Sequence, residues 1–298
     1  MLNNINSKIS LLRVTVNSGK GEGNKLIIIN NGVLEIYLDE SHGLDILSLR
    51  HKGTLISFLS SNGLNNHSHV FSSSFPGGML YTCGPDVIGG KEGYYQHGQY
   101  HLNPAEIISI IQNENKVVIK ARIDVTALFG INFSIFREIS LAVNEESLKI
   151  KDTLVNNLNT PQEYALLYHF NLGYPFLAPG TKVITNANHV EPRTEFAKKY
   201  FNEYDMIPDE VRKDEEVFYH FDAKEMVSVA SPIKKKWSLT YDKKVFPYVI
   251  EWKSLVDQNF ALALEPATSL LDEKLKYQSL PPKGELTYQF MIKVEDEK

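Results

Sequence analysis

An all-β sandwich or barrel is the architecture this sequence predicts, and three observations carry that reading. Apolar residues recur at every second position through several stretches. Short clusters of Asn, Glu and Gly separate those stretches. Segments with helical spacing are scarce. Connections this short favour hairpins and meanders over parallel crossovers.

Taken in order, strands are expected at 25–30 and 33–38, and then in a series at 116–125, 133–141 and 147–155. In the second of that series Phe133, Ile135, Arg137, Ile139 and Leu141 share one parity. In the third Leu148, Ile150, Asp152 and Leu154 do the same, and turn clusters at 144–146 and 156–159 flank it. The apolar run 164–167 extends into His169 and Asn171 and is stopped by Gly173 and Pro175. Later strands are expected at 227–230, 237–241, 248–252, 260–264 and 286–294. A short helix is expected within 192–204, and 104–111 is ambiguous. Two long irregular segments remain, 60–104 and 180–208, and long loops in compact domains tend to carry function. No fixed-period repeat or Pro/Gly/Ser linker divides the chain, so 1–298 reads as one domain, with 1–23 a candidate for a loosely attached segment.

The bulk properties exclude several classes. The chain has 298 residues and is 43% apolar, enough for a sizeable core. Its formal net charge of −5 argues against a nucleic-acid partner. The basic run Lys234, Lys235 and Lys236 reads as a solvated turn. A single cysteine, Cys83, permits no internal disulfide or redox pair, and a small buried thiol is its commoner role. The N-terminus lacks the apolar core of a signal peptide, and no apolar run is long enough to span a bilayer, so a cytoplasmic location is expected. Nucleotide loops and a nucleophile elbow are missing from the sequence.

A few residues have the chemistry for a site. His169 and Asn171, two apart in an extended strand, would point the same way beside a turn. The plainer reading is a half-buried imidazole satisfying a backbone group. His97 precedes Gly98, where the backbone can approach another surface, and His101 follows four residues on. Gly98 and Pro104 make a helical His pair improbable, and no acid or thiol completes a metal set, so no metal is expected. Glu265 ends the run 260–264 before Pro266, where partial desolvation would make it a better base; an exposed turn glutamate is the alternative. Glu251, Trp252 and Lys253 form a second acid–aromatic group, and Trp252 has the face to stack on a sugar.

Together these pieces resemble the galactose mutarotase (aldose 1-epimerase) superfamily, and more narrowly its poorly characterised bacterial branch of mutarotase-like proteins. The resemblance rests on Gly43 to Ile46, Gly77 to Gly84, His97-Gly98, Asn103-Pro104-Ala105, Asp152 to Asn156, the His169 segment, Pro192-Arg193, Glu251-Trp252-Lys253 and Leu264-Glu265-Pro266. It implies a β-supersandwich with a sugar cleft on its concave sheet and no cofactor. It also implies Glu265 as the base for the anomeric hydroxyl, His169 as the acid for the ring oxygen, and His97 as a second histidine near the ring. Asn171, Gln99, Trp252, Glu251 and Lys253 are the further substrate-binding candidates.

The sequence departs from that pattern in two places. The well-characterised enzymes carry a sugar-contacting arginine before the first histidine, and here none lies between Arg50 and His97. The narrower branch carries an arginine after its His-Gly pair, where this chain has Gln99. Asp242 and Glu251 are the candidates for the acidic sugar-binding residue. An isomerase acting on a free or modified sugar is therefore expected, with a small carbohydrate as partner. A non-catalytic carbohydrate-binding protein is the first alternative. A sugar-phosphate epimerase using Arg50, Arg193 or Lys253 as a phosphate clamp is the second.

Overall fold

The structure, a computed structural model, describes residues 8–297. Three large antiparallel sheets and two small two-stranded ones build the described residues. The largest has eight strands, in the order Lys182–Ile184, Met226–Ser231, Lys235–Tyr241, Glu285–Asp296, Ser147–Asn156, Asn132–Ala142, Lys116–Thr126 and Glu106–Gln112. A six-stranded sheet runs His189–Pro192, Glu216–Phe221, Tyr248–Val256, Asn259–Ala267, Leu167–Gly173 and Tyr81–Cys83. A five-stranded sheet is formed by Ser10–Thr15, Lys25–Asn30, Leu34–Asp39, Asp45–His51 and Thr54–Leu55.

The alternating patterns become two-faced strands. Phe133, Ile135, Ile139 and Leu141 enter the core beside Leu148, Ile150 and Leu154 of the paired strand, while Phe136 and Lys151 face outward. The six-stranded sheet is buried on both faces. Tyr168, Phe170 and Leu172 join the main core between the sheets. Leu167, Val217, Ile250 and Ala261 form a second apolar cluster on the other face, where the cleft described below is found.

Several strands were not legible by alternation. Glu216–Phe221 and Asp45–His51 are buried on both sides, which erases the period-two signal. The 104–111 ambiguity resolves as the strand Glu106–Gln112. The helix expected over 192–204 is shorter: Pro192 ends a strand, Glu195–Lys199 is helical, and Phe201–Glu203 is a 3-10 turn. Thr194 fixes its start, its hydroxyl accepting from the Ala197 N–H at 3.1 Å. Within the segment 1–23, Ser10–Thr15 is not loose but an edge strand paired along its length with Lys25–Asn30; residues 1–7 lie outside the described residues. The basic run is not wholly a solvated turn either. Lys235 begins a strand and reaches Asp296 at 2.6 Å.

Arg137 is the exception on its apolar face. It is fully buried, and all five of its N–H groups have acceptors nearby. Nε and Nη2 grip Asp152 at 3.0 and 2.8 Å, Nη1 donates to Asp45 at 2.7 Å and to the Gly43 carbonyl at 3.1 Å, and Nη2 reaches the Thr82 hydroxyl at 3.0 Å. Tyr168 donates its hydroxyl to Asp152 from the six-stranded sheet. Burial pushes the Asp45 carboxyl up, but the His101 hydrogen bond and the Arg137 charge outweigh it and hold the group below its ordinary value. Replacing Arg137 with Met strands two buried carboxylates, so Arg137→Met is expected to cost about 3–5 kcal/mol of unfolding free energy in urea titration. A loss under about 1 kcal/mol would show that the ion pairs are dispensable.

Candidate functional site

One face of the six-stranded sheet carries a cleft. Strand alternation decides which side chains reach it. On Tyr248–Val256, Ile250 and Trp252 face the cleft, and on the neighbouring strand Glu265 sits opposite Ile250. His169 comes from the next strand, and His97 from the long loop that the sequence left irregular.

The centre of the cleft is an acid–imidazole pair. His169 Nε2 lies 3.0 Å from Glu265 Oε1, with both side chains almost fully buried. The pair is close without being aligned for a hydrogen bond, so Glu265 Oε1 remains without a donor among the described residues. His169 Nδ1 and His97 Nδ1 are likewise buried and unpartnered. Three orphaned polar atoms around one hollow are costly in a folded protein, where buried polar groups are nearly always paired. Aromatic rings frame them: Trp252 stands 5.4 Å from His169, Phe75 5.7 Å from His169, and Phe71 4.7 Å from His97.

His97 is held by its backbone. Its φ is +66°, in the left-handed region that costs a residue with a Cβ about 1–3 kcal/mol. Its N–H donates to the Gly89 carbonyl at 2.8 Å, and its own carbonyl accepts from Gly84 at 2.9 Å. Gly98, at φ +80°, cannot be replaced: a Cβ there would fall 2.6 Å from the Val87 carbonyl oxygen and 2.9 Å from the Gly84 Cα. Burial first, then the neighbouring His169 and Arg193, push the His97 pKa down to about 3, so this imidazole is neutral near pH 7.

The remaining sequence candidates divide. Trp252 lines the cleft and donates Nε1–H to Glu215 at 2.9 Å. Glu251 and Lys253 do not line it. They flank Trp252 in a strand and so project from the opposite face, fully buried. There Glu251 meets His220 at 2.8 Å and Lys253 meets Glu216 at 3.3 Å and the Glu203 carbonyl at 2.9 Å. Gln99 is also not a cleft residue; its amide donates to Asp86 at 2.9 Å and secures the His97 loop. Asn171 lies in the His169 strand, but its amide donates to the His169 carbonyl at 3.1 Å and it does not line the cleft. Asp242 caps a turn by accepting from the Lys244 N–H, far along the chain's other sheet surface, where it lines a different hollow. Of the three proposed phosphate-clamp cations, Arg50 binds the Gly53 carbonyl and Lys253 is on the reverse face. Arg193 alone lines the cleft, held by Asp272 at 2.6 Å and Glu215 at 3.4 Å. Cys83 is buried, and burial, then Glu265 and Asp45, push its thiol well above the ordinary value.

Sequence reasoning missed Phe71 and Glu215, while Phe75 opens the aromatic and glycine-rich stretch 75–84 that the sequence suggests for the rim of a cleft. For Phe71 the only available signal was its place four residues before Phe75, a helical spacing inside a stretch otherwise read as loop. Glu215 precedes a strand whose double burial hid it.

The depressed His97 pKa has a consequence for stability. The unfolded chain takes up a proton near pH 6.5, whereas the folded chain resists until about pH 3. Stability is therefore full above about pH 6.5 and declines as pH falls toward 3. His97→Gln should flatten the dependence of unfolding free energy on pH between 6 and 4 by about one proton's slope. An unchanged slope in denaturant titrations would mean that His97 protonates freely when folded.

Comparison with known proteins bears on the fold. Many solved structures are similar, three of which illustrate the likeness. A Klebsiella pneumoniae protein carrying a provisional aldose 1-epimerase name has a TM-score of 0.87 at 19% identity, over 97% of this chain and 84% of that one. A galactose mutarotase-like protein of Clostridium acetobutylicum gives 0.71 at 14%, over 97% and 99%. A Salmonella typhimurium protein provisionally named a mutarotase gives 0.71 at 12%, over 96% and 94%. At these identities the likeness is one of fold, and the fold is that of the galactose mutarotase-like β-supersandwich. No curated protein matches the sequence. The profile of a family described as a domain of unknown function, DUF4432, matches residues 21–281, most of the chain. The chain belongs to the DUF4432 family.

Proposed function

We propose that this protein is an aldose 1-epimerase-like isomerase that interconverts the anomers of a free sugar. The observation that carries the reading is the contact between Glu265 and His169 at 3.0 Å, inside a cleft framed by aromatic rings. In a cyclic hemiacetal the anomeric hydroxyl and the ring oxygen share one carbon. Opening the ring needs a base at the first oxygen and an acid at the second, so the two groups must stand side by side. Glu265 takes the hydroxyl proton as the carbonyl forms, and His169 gives a proton to the ring oxygen as the ring carbon–oxygen bond breaks. Rotation of the freed aldehyde and reclosure with the transfers reversed give the other anomer, and no proton or electron is gained or lost. His97, neutral near pH 7, serves as a hydrogen-bonding partner for the ring and its hydroxyls, and Trp252 and Phe75 supply apolar faces for the sugar.

Charge in the cleft favours a neutral substrate. Arg193 is offset by Asp272 and Glu215, and Glu265 adds a further carboxylate. A phosphate entering here finds no uncommitted cation, which disfavours the sugar-phosphate reading. The position of Gln99, turned to Asp86 where the related branch has an arginine, favours a second reading as a carbohydrate-binding protein without turnover.

One experiment separates these readings. NMR exchange spectroscopy on a panel of neutral aldoses should show catalysed anomer exchange, falling about 10²–10⁴-fold in Glu265→Gln and comparably in His169→Gln. Sugar phosphates should exchange no faster than the neutral sugars. Sugar binding with equal exchange in wild type and Glu265→Gln would identify a binding protein instead.

A further inference from the structure

A second cleft opens beside the first and shares none of its lining residues. The wall between them is thin. Phe75 lines the first while Ser74 and Pro76 line the second, and Tyr81 packs against Phe75 on one side and His101 on the other. Nothing in the acid–base chemistry proposed above uses this second space.

Its polar groups are arranged in an ordered way. His42 and His101 stack with ring centroids 4.9 Å apart, and Tyr81 continues the stack at 4.0 Å from His101. Each histidine has its Nδ1 anchored to a carboxylate behind it, His42 to Asp39 and His101 to Asp45, both at 2.9 Å. That fixes both rings and leaves each Nε2 without a protein partner among the described residues. Asn24 lines the same cleft. It is fully buried, and neither its amide nitrogen nor its amide oxygen has a partner among the described residues. A buried amide with both ends unsatisfied lowers stability, and such groups are retained where a ligand completes them.

We propose that this second cleft binds a neutral polyhydroxylated ligand, a sugar or sugar unit, through Asn24, His42 and His101. An amide offers adjacent donor and acceptor groups, which match neighbouring hydroxyls, and fixed imidazole nitrogens add acceptors at the rim. An anion is disfavoured because no lysine or arginine lines the cleft and the carboxylates of Asp39 and Asp45 stand directly behind the imidazoles. A metal ion is disfavoured because the three lining histidines, His42, His69 and His101, do not bring their ring nitrogens close enough together to share one ion. The assignment does not rest on the isomerase reading, since the two clefts have separate residues.

The test uses the full chain, five sugar probes (D-glucose, D-galactose, D-xylose, maltose and methyl α-D-glucopyranoside) and two controls, inorganic phosphate and zinc. Binding is read by the shifts of the His42 and His101 ring protons and by calorimetry. At least one probe should move both histidines in the wild-type protein. The same response should persist in Trp252→Ala, which alters only the first cleft. Asn24→Leu removes the unsatisfied amide at nearly constant volume, so its melting temperature should equal or exceed that of wild type while binding in this cleft weakens tenfold or more. Its rate of anomer exchange, where exchange is seen, should be unchanged. Histidine resonances that stay still for every probe in the wild-type protein would overturn the proposal. So would Asn24→Leu binding all five as wild type does, or a response confined to inorganic phosphate or zinc. A mutarotation failure with intact His42 and His101 shifts would count against the isomerase reading alone.

Discussion

The buried Arg137 guanidinium is the constraint on which the rest of the arrangement depends. It stands in the eight-stranded sheet, yet its partners come from all three large sheets: Asp152 beside it, Asp45 in the five-stranded sheet, and Thr82 in the six-stranded one. A desolvated charge tolerates little displacement of its acceptors, because the Coulomb gain that offsets burial falls away with distance and misalignment. An apolar core of the same volume would pack the sheets about as well, but it would allow them to slide. The guanidinium fork fixes their relative position instead.

That fixation extends toward both histidines of the first cleft. Asp45, held by Arg137, also anchors His101, which belongs to the same loop as His97. Asp152 accepts the Tyr168 hydroxyl, and His169 is the next residue in that strand. Glu265 is placed by the ladder that joins its strand to the other side of the same sheet. A single ionic cluster in the core therefore sets the spacing between the loop histidine and the strand histidine, although it touches neither. The second buried charge cluster, around Lys253, Glu216, Glu251 and His220, acts on the reverse face of the Tyr248–Val256 strand and holds it against the segment that carries Glu203 and Tyr204.

Much of this was legible from residue order, and the parts that were not have physical causes. Half-buried strands such as Asn132–Ala142 and Ser147–Asn156 advertise themselves because one face meets water. Strands covered on both faces, such as Glu216–Phe221, look like any short apolar run. Arg137 and Asp152 fell on the apolar parity of their strands, and a charge at such a position is itself a sign of a buried pair, though its third partner, Asp45, was remote in sequence. For the cleft, the chemical type of His97, His169 and Glu265 was readable, and Trp252 with them. The direction of Glu251 and Lys253 was open to inference as well: once Trp252 is placed in the cleft, period-two alternation sends its neighbours the other way. Gln99 was misplaced for a different reason. A loop has no period, so nothing in the sequence distinguishes an amide facing the cleft from one bound to Asp86.

The two clefts share an energetic feature. Around the first, Glu265 Oε1, His169 Nδ1 and His97 Nδ1 are buried without partners, and around the second both ends of the Asn24 amide are. Elsewhere many comparable groups are saturated: the Asn156 amide nitrogen has three acceptors, that of Asn31 two, and Arg137 uses every N–H. Asn171 Oδ1, Trp237 Nε1 and Glu251 Oε1 are also buried without hydrogen-bond partners among the described residues, away from both clefts. Each open group costs about 1–3 kcal/mol against a saturated one, a large share of the 5–15 kcal/mol that separates a folded domain from its unfolded chain. A backbone strained at His97 to present an imidazole with an open nitrogen adds to the same side of the balance. Open groups gathered beside a hollow suit a preorganised ligand site: the donors and acceptors are fixed before the ligand arrives, and the ligand supplies the missing bonds.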